Sequence, residues 1–293
     1  MPLSGKLRRS ALYMPASNAH ALAKAKEVAA DVLVFDLEDA VAPEAKPMAR
    51  AQALAAAADG GYGRREIIIR VNALATSWGA DDVAAVAGSA SHGLLVPKIE
   101  TAADVAAVER LMALGGAPQQ LKIWVMLETP RAVLQAEAIC SSTSRLAGVF
   151  MGNEDLAKDM GLQPTPGREA LVPAMAHCLL AARAASIAAF DGVHVDLSDE
   201  AGLLAVCQQG RMLGFDGKSV IHPKQIEAAN RIFAPTEAEL AWARRIVEAH
   251  AKGAAAGQGL VVVDGRMIER LHVERAERTL ALAAAIAERT GQP

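Results

Sequence analysis

VLVFDLEDA, residues 32–40, is an apolar run that passes directly into three acids, Asp36, Glu38 and Asp39. The pattern recurs along the chain. EIIIRVN (66–72) ends near Arg70, GLLVPKIE (93–100) near Lys98 and Glu100, KIWVMLET (122–129) at Glu128, and GVFMGN (148–153) leads into Asp155. Short runs rich in Val, Ile and Leu, bounded by turn signals, read as strands buried on both faces, as in a parallel sheet. Charges at the strand exits then face one common pocket.

Three further runs, SALYMP (10–15), GVHVDL (192–197) and KSVIH (218–222), complete a set of eight, and a helical stretch separates each consecutive pair. Local chemistry marks the helix starts: Ser17, Thr101 with Asp104 at the reciprocal capping position, Thr129 before Pro130, and Ser198. Gly115 and Gly214 are suited to stop helices. Eight β-then-α units over residues 1–233 predict an α/β chain folded as a (β/α)8 TIM barrel with its site at the strand ends. A doubly wound open sheet is the alternative; it gathers its ligand at one switch point, whereas here polar residues end nearly every strand. Residues 234–293 break the alternation. TEAELAWARRIVEAHAKG reads as a helix, GQGLVVVDGRMIERL as an extended or hairpin segment, and HVERAERTLALAAAIAERT as a last helix. This small C-terminal helical extension is too short for an independent core and is expected to pack as a lid on the barrel or on a neighbouring subunit.

Composition narrows the context. Of 293 residues, 52% are apolar, enough for a large core, and 30 basic residues against 33 acidic ones leave a net charge of -3 with no basic run. Nucleic acid and membrane surfaces are therefore not expected partners. Cys140, Cys178 and Cys207 stand singly in Ala- and Leu-rich stretches, the pattern of buried reduced thiols in a cytoplasmic protein. Neither an apolar leader core nor a run of the ~20 apolar residues needed to span a bilayer occurs.

Glu128 and Asp155 are separated by about one βα unit and so belong on adjacent strand ends. Two carboxylates with no His or Cys nearby are hard oxygen ligands suited to Mg²⁺, which keeps open positions for water and substrate. Each could instead serve the start of the following helix. Arg70, at a buried rim, needs a carboxylate: either a structural partner among Asp36 and Glu38, or a substrate carboxylate held bidentately. Period-two alternation puts Asp36 and Glu38 on one face, where crowded acids call for a cation or a shared proton. GFDGKS resembles the end of a phosphate-binding loop, but Met212 stands where its first glycine belongs, so it reads as a turn into the last strand. His222 reads as a structural side chain at the end of the last strand rather than a ligand, and its pocket-side position leaves a catalytic role open. No GxGxxG opens a helix, and HExxH and GxSxG are absent.

RSALYMPASN, DLEDAVAPEAKPMAR, RVN, PKIE, LETP, GNEDLAKDMG and GFDGKSVIHPKQI, in this order, resemble the citrate lyase beta-subunit-like family of the HpcH/HpaI aldolase superfamily. The resemblance implies a (β/α)8 barrel, trimeric or hexameric, that makes or breaks a carbon–carbon bond between a 2-oxo acid and the acetyl unit of a coenzyme A thioester. It implies Mg²⁺ on Glu128 and Asp155, and the oxo acid on Arg70, Gly152 and Asn153. Asp36 and Glu38 then support the metal's waters, while Tyr13, Pro15, Ser17 and Lys46 lie along the CoA entrance. Relatives with CoA lyase activity carry GxMID near the C-terminus, whose aspartate reaches a neighbouring subunit's site. Here the segment is DGRMIERL, with Glu269 in the aspartate's place and Leu271 where proline is usual. The expected reaction is Mg²⁺-dependent cleavage of citramalyl-CoA or malyl-CoA to acetyl-CoA and a small 2-oxo acid. Alternatives are a citryl-thioester lyase subunit and a non-catalytic binding subunit. The histidine that CoA-free aldolases of the superfamily place after the strand-two glutamate is replaced by Asp39.

Overall fold

A computed structural model describes residues 6–163, 165–255 and 260–291. They fall into two compact units, one within Arg8–Phe233 and a second that takes in residues 6–7 and the described residues from 234 onward. In the larger unit the strands are β1 (Ser10–Pro15), β2 (Val32–Asp36), β3 (Glu66–Arg70), β4 (Gly93–Val96), β5 (Lys122–Leu127), β6 (Leu146–Met151), β7 (Ala188–Asp191) and β8 (Gly217–Val220). Each pairs in parallel with its neighbour in sequence, and β1 pairs with β8, so the sheet closes into a barrel with helices between the strands.

Alternation along each strand divides the core in two. Val32, Val34, Ile68, Leu95, Trp124, Phe150 and Phe190 fill the barrel interior, while Leu33, Phe35, Ile69, Leu94 and Val149 pack outward under the helices. Inside, the Phe150 and Phe190 rings stack with centroids 4.5 Å apart, and Trp124 meets Phe150 edge-on at 5.5 Å. Gly148 makes room for this layer, since a Cβ there would overlap the Trp124 ring. The aromatic layer plugs the barrel and forms the floor on which the strand-end pocket rests.

The structure corrects the sequence reading of β7. GVHVDL alternates like a strand, but the strand is the preceding AAFD (Ala188–Asp191), and Val193 to Leu197 leave the barrel as a loop with Val195 and Leu197 exposed. β2, β3, β4 and β5 also stop short of the bounds expected for them, so Glu38 stands on a turn beyond β2 and the period-two relation to Asp36 does not reach it. Two caps move by one residue: Asn18 and Asp199, rather than Ser17 and Ser198, accept the backbone N–H groups of Ala21 and Gly202. Thr101 and Asp104 do form a reciprocal capping box, Thr129 accepts from Ala132 N, and Gly115 and Gly214 close their helices, Gly214 at φ 107°.

The second unit holds two long helices, Glu237–Ala255 and Arg270–Thr290, and a hairpin of β9 (Val261–Val263) and β10 (Arg266–Ile268). Asp264 and Gly265, both at positive φ, make its two-residue turn, the backbone that the Asp-Gly pair favours. Ala243, Ile246, Ile268, Val273 and Ala276 form its core. No helix among the described residues is long and apolar enough to cross a membrane.

Candidate active site

The pocket at the C-terminal ends of the strands has a volume of about 410 Å³. Its walls include Tyr13 and Pro15 from β1, Asp36 and Asp39 from β2 and its turn, Arg70, Met126, Glu128, the segment Met151 to Asp155, and Val193 and Val195 from the loop after β7.

Arg70 and Asp36 are register partners on neighbouring strands, and their inward side chains meet as a fork: Nε and Nη2 each donate to an Asp36 oxygen at 2.6 Å. Asp36 also accepts from Glu38 N at 2.9 Å and Ala40 N at 3.2 Å, which ties the turn after β2 to the barrel. Its oxygens are thereby committed to positioning. The other end of the guanidinium, Nη1, lies 2.9 Å from Glu38 and 3.3 Å from Asp39, and the guanidinium carbon sits 5.0 Å over the Tyr13 ring. Burial pushes the Glu38 carboxyl up to about 8; Arg70 opposes this, and Asp39, Glu128 and Asp36 add to it. Glu38 therefore holds a proton near neutral pH although it touches a guanidinium. Burial also lifts the Tyr13 hydroxyl above its ordinary value.

Across the pocket, β5 and β6 are neighbours and bring Glu128 and Asp155 to one place. Lys98, just past β4, bridges them. Its backbone N–H donates to Glu128 Oε1 at 2.7 Å, and its ammonium lies 2.7 Å from Asp155 and 3.5 Å from Glu128. The geometry requires a left-handed backbone at Lys98, φ 54°, an unusual conformation for a residue with a side chain. Burial raises the Glu128 carboxyl, with Lys98 opposing and Asp155 adding. Asp155 feels burial too, but Lys98 and Lys158 outweigh it and hold the carboxyl below its ordinary value. Thr129, not Glu128, caps the helix after β5, whereas Asp155 does occupy the first turn of the helix Asn153–Asp159.

Gly152 is where it is because Glu128 is close: a Cβ there would overlap the Glu128 side chain. Asn153, a residue of the pocket wall, donates from Nδ2 to Asp191 at 3.3 Å, and its buried Oδ1 has no hydrogen-bond partner among the described residues.

Of the residues expected at the site, Tyr13, Pro15, Asp36, Arg70, Glu128, Gly152, Asn153 and Asp155 share this pocket, and Glu38 joins it through Arg70. Ser17 is half-buried and Lys46 buried, and neither lines it. The Lys46 ammonium instead braces the turn after β2, donating to the carbonyls of Leu37 and Glu38 at 2.9 Å and to Asn72 Oδ1 at 2.6 Å. Glu269 belongs to the second unit, exposed at the start of the helix Arg270–Thr290, where its N–H donates to His272 Nδ1 at 3.0 Å. His222 accepts from Lys224 N, a local turn contact. The bridging role of Lys98 was not apparent from the sequence, which marks it only as one more charge at a strand exit. The apolar wall is not apparent from the sequence either: Met126 and Met151 lie at the ends of β5 and β6, where the barrel's register decides what faces the pocket, and Val193 and Val195 reach it on the loop after β7.

A pair of carboxylates on adjacent strand ends, already gathered around one cation, fits Mg²⁺, which takes one or two carboxylates from a protein and fills its octahedron with water and substrate oxygens. No cluster of three or more His, Cys, Asp or Glu suited to a metal occurs among the described residues. Two carboxylates leave the remaining positions of such an ion to water and substrate.

Comparison with known proteins agrees with this architecture. The chain is 46% identical to a (3S)-malyl-CoA thioesterase of Cereibacter sphaeroides, with 95% of each chain covered. It is 36% identical to the citrate lyase subunit beta of Escherichia coli over 95% of this chain and 94% of that one. Among solved structures it resembles the protein CitE of Mycobacterium tuberculosis in complex with magnesium, acetoacetate and coenzyme A, with a TM-score of 0.78 and 31% identity over 94% of this chain and 97% of the other. Residues 9–223, from the residue before β1 to just beyond β8, match the family model for HpcH/HpaI aldolase/citrate lyase. The matched span contains the closed barrel and every residue that converges on its strand-end pocket, and the chain belongs to the HpcH/HpaI aldolase/citrate lyase family.

Proposed function

We propose that the protein is a Mg²⁺-dependent lyase that cleaves a short 3-hydroxyacyl-CoA of the malyl-CoA or citramalyl-CoA type to acetyl-CoA and a 2-oxo acid. The observation that carries the reading is the convergence of Glu128 and Asp155 on one cation in a pocket that also presents Arg70. Relatives named for malyl-CoA and citrate, and a structural neighbour holding magnesium, an oxo acid and coenzyme A, support it.

Cleavage removes the proton of the 3-hydroxyl, turns that carbon into the carbonyl of the oxo acid, and leaves the electron pair of the broken bond on the thioester's α-carbon, which must then gain a proton. Glu128 and Asp155 would hold Mg²⁺, which when bound would supply Lewis acidity toward the substrate's oxygens. Arg70 binds the oxo-acid carboxylate through Nη1, the part of its guanidinium that Asp36 leaves free, while Asp36 fixes the orientation of the group. Glu38 sits against that same nitrogen and, in the ionised form that a nearby divalent charge favours, receives the proton of the 3-hydroxyl. Gly152 and Asn153 form the wall beside the residues assigned to the metal. Tyr13 and Pro15 line the mouth for the thioester, with Ser17 and Lys46 supporting the segments that frame it. Glu269 supplies the proton to the α-carbon from a neighbouring copy in a trimer or hexamer.

A second reading, hydrolysis of the thioester, has one specific observation in its favour: the similarity to (3S)-malyl-CoA thioesterases. The two reactions leave different products. Purified protein incubated with malyl-CoA and Mg²⁺ is expected to form glyoxylate, trapped as its phenylhydrazone, in step with acetyl-CoA, and excess chelator is expected to stop both. Release of free CoA thiol and malate without glyoxylate would replace cleavage by hydrolysis. Metal-dependent oxo-acid binding with no turnover of malyl-CoA, citramalyl-CoA or a citryl thioester would leave the binding-subunit reading.

A further inference from the structure

We infer that Lys98 is a displaceable counter-ion built into the metal site: its ammonium holds Glu128 and Asp155 together and must yield to a divalent cation. This deepens the magnesium reading above and rests on it. Three observations carry it. The ammonium lies 2.7 Å from Asp155 and 3.5 Å from Glu128, so it stands between the two carboxylates assigned to the metal. It is tethered independently of those contacts, because the Lys98 N–H is bonded to Glu128 Oε1 and the backbone is turned into the left-handed region at that residue. And the side chain is 38% exposed, so the ammonium has solvent to move into when displaced.

The physical consequence follows from charge. Two carboxylates forced together with no cation between them repel, and Glu128 is too buried for water to relieve that repulsion. The ammonium removes the penalty in the absence of metal, and for the same reason it lowers metal affinity, since Mg²⁺ must break the Lys98–Asp155 pair and then tolerate a positive charge nearby. The backbone bond to Glu128 survives the exchange and keeps that carboxylate aimed at the site. A substrate anion entering beside the metal offers the released ammonium a new partner, so metal and anion binding favour each other through Lys98.

Lys98→Met keeps the length of the side chain, the left-handed backbone and the N–H bond to Glu128, and deletes only the charge. Lys98→Arg keeps the charge. Mn²⁺ binding to the metal-stripped proteins, read from the EPR signal of the free ion, is expected to be about tenfold or more tighter for Lys98→Met than for the wild type or Lys98→Arg. The melting temperature of Lys98→Met in chelator is expected to fall below the wild type's, and the gap to close at saturating Mg²⁺. Equal or weaker Mn²⁺ binding by Lys98→Met, with the wild type still binding, overturns the role of Lys98 and leaves the magnesium site standing. No Mn²⁺ binding by any of the three proteins overturns both.

Discussion

Two clusters of charge occupy the same end of the barrel and are built on opposite principles. Inside the rim, Arg70 and Lys98, with the exposed Lys158 on Asp155, face five carboxylates, Asp36, Glu38, Asp39, Glu128 and Asp155. Behind the rim, between β7, β8 and the helix Glu200–Leu213, a single carboxylate, Asp191, faces two cations. Lys218 donates to it at 2.8 Å and also to the Gly192 carbonyl, and Arg168 bonds it through both Nη atoms, with Gln209 and the Val206 carbonyl taking up the remaining donors. Asp191 and Lys218 are wholly buried. The inner cluster has an excess of negative charge, a pocket of solvent, and a carboxyl that keeps its proton near neutral pH; the outer one is sealed, with most of its polar groups paired. An excess of one sign beside a cavity is a binding capacity for the other, whereas a sealed and paired cluster fixes geometry. The outer cluster fixes the pocket's: Asp191 holds Asn153, the first residue of the helix that carries Asp155, and Arg168 anchors the loop that follows that helix.

The sharpest separation of the two comes from Glu128→Gln. If Glu128 holds Mg²⁺ as proposed, removing its charge should cost the proposed cleavage several kcal/mol of transition-state stabilisation, about 10³-fold or more in kcat. Because burial already raises the Glu128 carboxyl, the melting temperature should hold or rise. Steady-state kinetics beside a thermal melt checks both halves. A variant that is active and destabilised would put Glu128 with the structural cluster instead.

The outer cluster should respond in the opposite way, and unequally. Asp191→Asn leaves Lys218 and Arg168 buried with no counter-charge, a loss expected to be about 3–5 kcal/mol of stability. Lys218→Met removes the surplus cation and leaves a balanced Asp191–Arg168 pair, so its cost should be below about 2 kcal/mol. Denaturant titrations of the two variants measure the difference. Equal losses would mean that the hydrogen bonds of Lys218, rather than the charge balance, hold the cluster together.

The same contrast explains what could be read from the sequence. Val-, Ile- and Leu-rich runs in β2 to β6 announce themselves because a barrel strand is apolar on both faces. AAFD does not, since small residues after an Ala-rich helix carry no strand signal, and the alternating GVHVDL beside it does. Asp36 and Asp191 each end a strand, and nothing local distinguishes them. What does is phase: Asp36 continues the inward row of Val32 and Val34, whereas Asp191 continues the outward row of Ala189. Phase is set by the register of the closed barrel, a property of all eight strands together. Caps missed by one residue, Ser17 for Asn18 and Ser198 for Asp199, have a simpler cause. Adjacent residues of equal capping chemistry are separated only by the backbone dihedrals of the turn.

The subtlest expected effect tests the claim that the inner cluster gives up stability for its charge. In the unfolded chain Glu38 titrates near its ordinary value of 4.5, and in the fold at about 8. Between those two values the folded state keeps a proton that the unfolded state has lost, so raising the pH draws the equilibrium toward unfolding. The stability is thus fully present below pH 4.5, declines as pH rises toward 8, and is flat beyond it. Glu38→Gln cannot ionise and should lack this decline. In chelator, its melting temperature relative to the wild type should climb across that window and level off, a gain of roughly 1–3 kcal/mol at the alkaline end once screening of the partly exposed pocket is allowed for. Saturating Mg²⁺ should shrink the gain, because a divalent charge near Glu38 favours its ionised form and draws the folded value back down. A gain that is constant with pH would show that Glu38 is ionised throughout and paired to Arg70 like any buried carboxylate. The inner cluster would then differ from the outer one in exposure alone.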